Sequence, residues 1–450
     1  MNKTYLGIDI GSTQICAIIA QKDEHGELKA LGSGVSKSQG LKKGIITNID
    51  LASNCIKSAV EDAKRIAGQH YEEALVSISG AYTKSIDSSG IVNVPNHEIG
   101  IKEINRAMQM ADHNANIPNE YEKLHVLPFT FKVDDQDSIE DPLGMNGSRL
   151  EVSVHIITVQ KSSLNNIRKT VKNAGIKIDN IVLSGYASSI ATLNEDEKEL
   201  GVGLIDMGGA TCNMVIHVGN SIRYNNFLSV GSLNITSDLS MALHTPIPIA
   251  EDIKIKYGFI GGASDKLINL PVLGDENTTH EVTMDTVSNV LYARVEETLM
   301  LLAKRLEDSG FKGKIGAGLV LTGGFTKLKG LKELATPIFD NIPIRIAKPK
   351  EIEGMFDSIK DQSFSTAIGL ILYGSGGFTP YEIDSNKKMR YKDETFEKRR
   401  DNVNINLAKE DSENTSNIEN EILENIRNIG EQEKRTNFFK KAWIWLTQLF

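Results

Sequence analysis

Cysteine is scarce: three residues in 450, at Cys16, Cys55 and Cys212. They lie far apart and form no CxxC pair, so neither a disulfide framework nor a cysteine-based zinc site is expected, and a reducing compartment fits. The nine histidines show neither HxxxH nor HExxH, so no structural metal is expected. No run of about 18 apolar residues occurs, which excludes a helix that spans a bilayer. The N-terminus, MNKTYLGIDIG, lacks the apolar core of a secretory signal. Basic charge is also short. Fifty Lys and Arg against 59 Asp and Glu leave a net charge of −9, which argues against a nucleic-acid-binding surface. The two common phosphate loops, GxxxxGK[ST] and GxGxxG in a βαβ setting, are missing.

What remains is an ordinary globular composition, 40% apolar and 24% charged, in a chain long enough for two to four domains. Residues 5–20 read as two short strands around a Gly-Ser-Thr turn. Asn48–Gly68 has helical spacing, with Ile49, Ala52, Ile56, Ala59, Val60 and Ala63 near one face. A mixed segment follows to Ser163, with a helix expected at Lys102–His113 and strands at Leu124–Val133 and Leu150–Gln160. A helix over Ser163–Ala174 and a strand over Asn180–Leu183 come next, then a charged connector at Glu195–Leu200. From Val202 to about Gly374 strands alternate with helices, which predicts an α/β architecture.

Two segments are alike. Leu6–Ile19 reads LGIDIGSTQICAII, and Gly203–Ile216 reads GLIDMGGATCNMVI. Asp9 matches Asp206, Gly11 matches Gly208, and Ser12 matches Gly209. Glycine lets backbone amides approach an anion, and consecutive turn N–H groups form an anion site without a lysine. Ser12 and Thr13 add hydroxyl donors. Two such turns face to face would clamp the phosphates of one nucleotide, and Asp9 and Asp206 could then hold Mg²⁺ through its waters. Alone, an apolar strand with Asp-x-Gly is ordinarily a plain β-turn; repetition at the start of each half favours the phosphate reading. Leu319–Leu331, LVLTGGFTKLKGL, adds a strand, Gly323-Gly324 and a helix. In Ala250–Gly258, Glu251 and Lys254 stand i, i+3 on a helix, a spacing that by itself describes a solvated pair.

The end of the chain differs from all of this. Residues 381–436 hold 14 acidic and 11 basic residues with few large apolar groups, so a flexible tether spanning roughly 40 Å is expected. Residues 437–450 read NFFKKAWIWLTQLF up to the C-terminus. On a helical wheel Phe438, Phe439, Trp443, Trp445, Leu446, Leu449 and Phe450 share one arc, while Lys440 and Lys441 lie off it. That pattern suits a helix lying in a membrane interface; the plainer alternative is a helix docked on the protein's own core.

Together these segments resemble the actin, Hsp70 and sugar-kinase superfamily. The phosphate motifs are Asp9–Thr13 and Asp206–Thr211, the adenosine motif is Leu321–Gly330, and the connecting helices are Ser184–Leu193 and Ser365–Tyr373. The opening GIDIGSTQI, the insert with HVLPFTFKVDDQDSIEDPLGMNGSRLEVSVHIIT at His125–Thr158, and the tethered tail are similar to the bacterial FtsA cell-division family. The resemblance implies an α/β, actin-like two-lobed ATPase fold with an inserted FtsA-type subdomain, a flexible C-terminal tether and a terminal amphipathic helix. It divides the chain into a first lobe (1–82 and 164–195) carrying the insert (83–163), and a second lobe (196–230 and 306–365) with its upper part at 231–305. Residues 366–380 are the connecting helix and return, 381–436 the linker, and 437–450 the membrane-targeting helix.

The resemblance implies ATP and Mg²⁺ as cofactors. Phosphate contacts fall to Gly11, Ser12, Thr13, Gln14, Gly208, Gly209, Ala210 and Thr211. Glu251 and Lys254 would meet ribose or base, and Gly323, Gly324 and Phe325 the adenosine. It implies as partners FtsZ, further copies of the chain in a filament, membrane lipids at the cytoplasmic face of the inner membrane, and other division proteins. Gln14 departs from the pattern, which often has lysine there. With that charge gone and no activated base in view, ATP is expected to act as a conformational ligand, with at most slow hydrolysis. A pilus or secretion assembly protein and a small-metabolite kinase are the alternatives from the same superfamily.

Overall fold

A computed structural model describes residues 3–68, 71–261 and 265–391, within a compact unit that ends at Tyr391. Its two halves repeat one sheet. In the first lobe the order is Lys177–Leu183, Glu73–Ile78, Lys3–Ile10, Gln14–Lys22, Leu28–Lys37. In the second it is Ile344–Ile346, Leu319–Thr322, Val202–Met207, Cys212–Val218, Ser221–Leu228. Each central strand is antiparallel to the strand after it and parallel to its other neighbour. The Asp-x-Gly turns are therefore the hairpins at equivalent corners of the two sheets.

The helix Ile49–Ala67 shows how local sequence and packing agree. Asn48 caps it by accepting the Leu51 N–H at 3.0 Å, an interaction worth about 1 kcal/mol. Gly68 ends it in the left-handed conformation with φ 67°. The stripe Ala52, Cys55, Ile56, Ala59, Val60 and Ala63 is buried. It lies so close to the strand Leu28–Lys37 that a Cβ on Gly34 would stand 2.0 Å from the Ala59 carbonyl oxygen.

The insert is a four-stranded antiparallel sheet, ordered Thr83–Asn93, Arg149–Gln160, Tyr121–Val133, Gln136–Ile139. The helix Ile101–Asn114 covers it, and Ile104, Met108, Phe131 and Val154 meet in its core. The upper part of the second lobe has the helices Ser232–Ala242, Ile247–Tyr257 and Met284–Asp308. Two helices join the lobes, Ser184–Thr192 and Ser365–Leu372. A Cβ on Gly369 would come within 1.9 Å of the Ala187 carbonyl oxygen, so only glycine permits this crossing.

The charged connector Glu195–Leu200 is a short helix with a capping box from Asn194 and Glu197. One expectation needs correction. Residues 381–391, placed in the linker by composition, belong to the compact unit. Tyr381, Glu382, Ile383, Asp384 and Ser385 are buried. Ile383 exchanges both backbone hydrogen bonds with Val126, at 2.9 and 3.0 Å. Glu382 accepts hydrogen bonds from the hydroxyls of Tyr186 and Tyr373. Charge counted over the whole segment hid a short strap whose polar groups find partners. The rest of the expected tether and the helix at 437–450 lie outside the described residues.

Candidate functional site

The two hairpin turns meet. A Cβ on Gly209 would stand 2.2 Å from Thr13 Cγ2, so the loop tips approach at a point where only glycine fits. The second loop is closed by Gly208 N–H donating to the Thr211 carbonyl at 2.8 Å. It is also latched to the helix Ser232–Ala242. Ser232 N–H donates to the Gly208 carbonyl at 3.1 Å, and Leu233 N–H to the Gly209 carbonyl at 2.7 Å.

Between the loops lies a cavity of about 860 Å³, a size that suits a small-molecule ligand. Its wall contains Asp9, Gly11, Ser12, Thr13, Gln14, Asp206, Gly208, Gly209, Thr211, Glu251, Lys254, Gly323, Gly324 and Phe325. Of the expected site residues in the described chain, Ala210 is not in the wall; it is buried.

Each carboxylate at the loops is held by hydroxyls. Ser77 Oγ donates to Asp9 Oδ1 at 2.8 Å and accepts the Ile10 N–H at 2.9 Å. Asp206 Oδ2 accepts from Ser188 and from Thr366, the latter at 3.0 Å. Burial pushes the Asp9 carboxyl up from 3.8 to about 7; the Ser77 hydrogen bond opposes this and the Asp206 charge adds to it. Burial also raises Asp206, against its bonds to Ser188 and Thr366. A folded-state value above the free one means that ionising Asp9 in place costs stability, increasingly as pH rises from 3.8 to about 7. Both carboxylates line the cavity, and a cation beside them would offset that cost, so the donor set of this corner would suit Mg²⁺ held through its waters. No cluster of three or more His, Cys, Asp or Glu exists among the described residues. The rest of the metal's shell would then come from ligand oxygens and water.

At the other end of the cavity, Glu251 and Lys254 prove not to be a solvated pair. Lys254 is half-buried, its side chain 10% exposed, with Nζ 2.7 Å from Glu251 Oε2, 2.9 Å from Thr236 Oγ1 and 3.1 Å from the Ser232 carbonyl. Burial lowers its pKa, against the opposing effect of Glu251. The strand Leu319–Thr322 ends in Gly323 at φ 90°, where a Cβ would meet the Met207 carbonyl at 2.4 Å and Asp206 Oδ1 at 2.5 Å. Gly323 thus lets the third segment pack directly behind the second loop.

Residue patterns missed several members of the wall: Ser79, Ser184, Asn213, Ser363 and Thr366. Ser79 Oγ is buried without a hydrogen-bond partner, a donor left open beside the cavity. Ser184 and Thr366 lie in the first turns of the two connecting helices, and small polar residues at those helix starts were the available signal. Asn213 had none beyond being an amide within an apolar strand.

Comparison with known proteins places this geometry. Residues 80–158 match the family model of the SHS2 domain inserted in FtsA, the span of the four-stranded insert. Residues 203–369 match the model of the cell division protein FtsA. The cell division protein FtsA of Helicobacter pylori is 43% identical over 419 residues, covering 86% of this chain and 85% of that protein. The chain belongs to the FtsA cell-division family. The FtsA assignment agrees with the solved folds that it resembles. One is the PilM–PilN type IV pilus biogenesis complex, with TM-score 0.59, 16% identity, and coverage of 82% of this chain and 98% of that chain. Another is MreB5 of Spiroplasma citri bound to ADP, with TM-score 0.51, 12% identity, and coverage of 82% and 96%. At these identities they show the actin-like fold alone.

Proposed function

We propose that this FtsA-family chain binds ATP with Mg²⁺ between its lobes, polymerises, and holds the FtsZ ring at the cytoplasmic face of the inner membrane as a peripheral protein that recruits other division proteins. The single observation that carries the nucleotide part is the cavity formed where two related glycine loops meet beside Asp9 and Asp206. Backbone amides of Gly11, Ser12, Thr13, Gly209 and Thr211 supply donors for phosphates, while the Gly208 N–H closes the second loop. Asp9 and Asp206 hold the metal, which supplies charge neutralisation when bound. Glu251 offers acceptors to ribose hydroxyls, while Lys254 holds it in place through their ion pair. Gly323, Gly324 and Phe325 form the adenosine wall. The fold likeness to a protein solved with ADP supports this reading.

Slow turnover follows from the same wall. Gln14 brings no positive charge to the phosphates, and Asp9, Asp206 and Glu251 are all engaged by hydroxyls or Lys254. The output is then lobe closure, passed to filament contacts and to the membrane through the tail at 437–450. Electron microscopy on a lipid monolayer tests the whole reading. Filaments that appear with ATP and Mg²⁺ and capture added FtsZ support it; a bare monolayer with ATP present would sink it.

A further inference from the structure

The insert leaves the first lobe after Gly80, yet it docks on the second lobe. Its seat is the edge strand Ser221–Leu228, where a register shift at Arg223 interrupts the alternation and Ser221, Arg223 and Asn225 all reach the insert. Ser221 Oγ donates to the Pro128 carbonyl at 3.0 Å. The Arg223 guanidinium lies 3.6 Å from the centre of the Phe129 ring. His155 bridges the two bodies, with Nε2 3.1 Å from Asn225 Oδ1 and Nδ1 2.8 Å from Asp87 Oδ1. The insert is therefore tied to the first lobe by its chain and by the packing of Leu124, Leu127, Ile157 and Val159 in that lobe's core, and to the second by side chains, so relative motion of the lobes must strain or shift it.

One residue joins this contact to the cavity. Asn213 sits on the neighbouring strand, lines the cavity, and accepts the Gly80 N–H at 3.0 Å through Oδ1. A backbone N–H can only donate, so the carboxamide has one orientation: oxygen to Gly80, and NH₂ turned away from it. The Asn213 NH₂ forms no hydrogen bond among the described residues. The Gly80 carbonyl in turn accepts from Thr83, at 3.1 Å from its N–H and 2.7 Å from its hydroxyl, and Thr83 starts the insert's first strand. In the first hairpin the residue opposite Asp9 is Cys16, whereas Asn213 stands opposite Asp206. The amide is thus a feature of one loop only.

We propose that Asn213 is a positioning residue that couples nucleotide occupancy to the inserted subdomain: its NH₂ donates to the phosphate end of the ligand, and its oxygen holds Gly80 and thereby the first turn of the insert. This rests on the nucleotide reading above. Hydrogen exchange on the full chain, with and without Mg·ATP, reads it out. In the wild type, ATP is expected to slow exchange of amides in residues 80–93 by tenfold or more. Asn213→Asp keeps an acceptor for Gly80 but replaces the donor with an anion. It should retain the ligand-free exchange pattern, bind ATP at least tenfold more weakly, and lose the added protection at saturating ATP. Asn213→Ala should also raise ligand-free exchange at Gly80. Unchanged exchange over 80–93 in the ATP-saturated wild type, or an Asn213→Asp protein that binds ATP as the wild type does, would overturn the coupling alone. A wild type that binds no ATP would remove the nucleotide reading, and the coupling with it.

Discussion

Gly323→Ala is expected to weaken ATP binding by tenfold or more and to lower the stability of the fold. The backbone there has φ 90°, a region in which a Cβ is strained whatever the surroundings, at about 1–3 kcal/mol. The surroundings are closed too. The new Cβ would stand 2.4 Å from the Met207 carbonyl oxygen and 2.5 Å from Asp206 Oδ1. Neither can yield cheaply: one is backbone at the end of a central strand, and the other is anchored by Ser188 and Thr366. Overpacking of this kind typically costs about 1–3 kcal/mol. Any relief must come from moving Asp206 or the second loop, and about 1.4 kcal/mol lost from binding is already a factor of ten. Calorimetric titration with Mg·ATP measures the first effect and urea denaturation the second. Gly313→Ala is the control, since a Cβ there meets nothing within 4 Å. Binding by Gly323→Ala at the wild-type level would show that the third segment does not brace the site.

Deleting residues 438–450 is expected to abolish co-sedimentation with anionic liposomes. The segment lies outside the described residues, so the expectation comes from its sequence. Two Phe and two Trp, with Leu446, Leu449 and Phe450, share one face. Each large apolar side chain supplies at most about 1.5–3 kcal/mol when buried. Helix formation offsets part of this, because a free segment this short is marginally helical in water. Lys440 and Lys441 each add about 1 kcal/mol near an anionic surface. One such anchor is reversible, and a filament multiplies it through avidity. Among the described residues no helix is long and apolar enough to cross a membrane. Equal sedimentation of the full and shortened chains would refute the tail's role. A double variant, Trp443→Ala with Trp445→Ala, should lose most of the binding while keeping the charge.

The sequence showed the paired loops because each is a local signal, an apolar strand running into Asp-x-Gly. It showed the helix at 49–67 for the same reason, since cap, stripe and terminating glycine are adjacent in the chain. Ser188, Asn213 and Thr366 were not legible. Each gains its role only when a second strand or helix brings it to Asp206 or Gly80, and those separations are long: 160 residues for Thr366 to Asp206 and 133 for Asn213 to Gly80. The i, i+3 spacing of Glu251 and Lys254 by itself says nothing about which face of a helix is covered; the family resemblance placed them at the ligand, and both line the cavity. The strap at 381–391 was lost to averaging. Its buried Glu382 has a carboxyl raised to about 7 by desolvation, held by the hydroxyls of Tyr373 and Tyr186, partners no composition can foresee. The seat of the insert on the second lobe was equally hidden, since His155 and Arg223 read as ordinary strand residues.

The proposed nucleotide and metal site is the corner shared by Asp9 and Asp206. Titration of the wild-type chain with Mg·ATP in two buffers of different ionisation enthalpy, below and above pH 7, probes that corner. Burial pushes the Asp9 carboxyl up to about 7, and a cation beside it favours the carboxylate. Binding with one site per chain is therefore predicted, with a buffer-dependent heat from proton release at pH 6 that fades by pH 8. No binding, or binding whose heat is the same in both buffers at pH 6, would contradict the account.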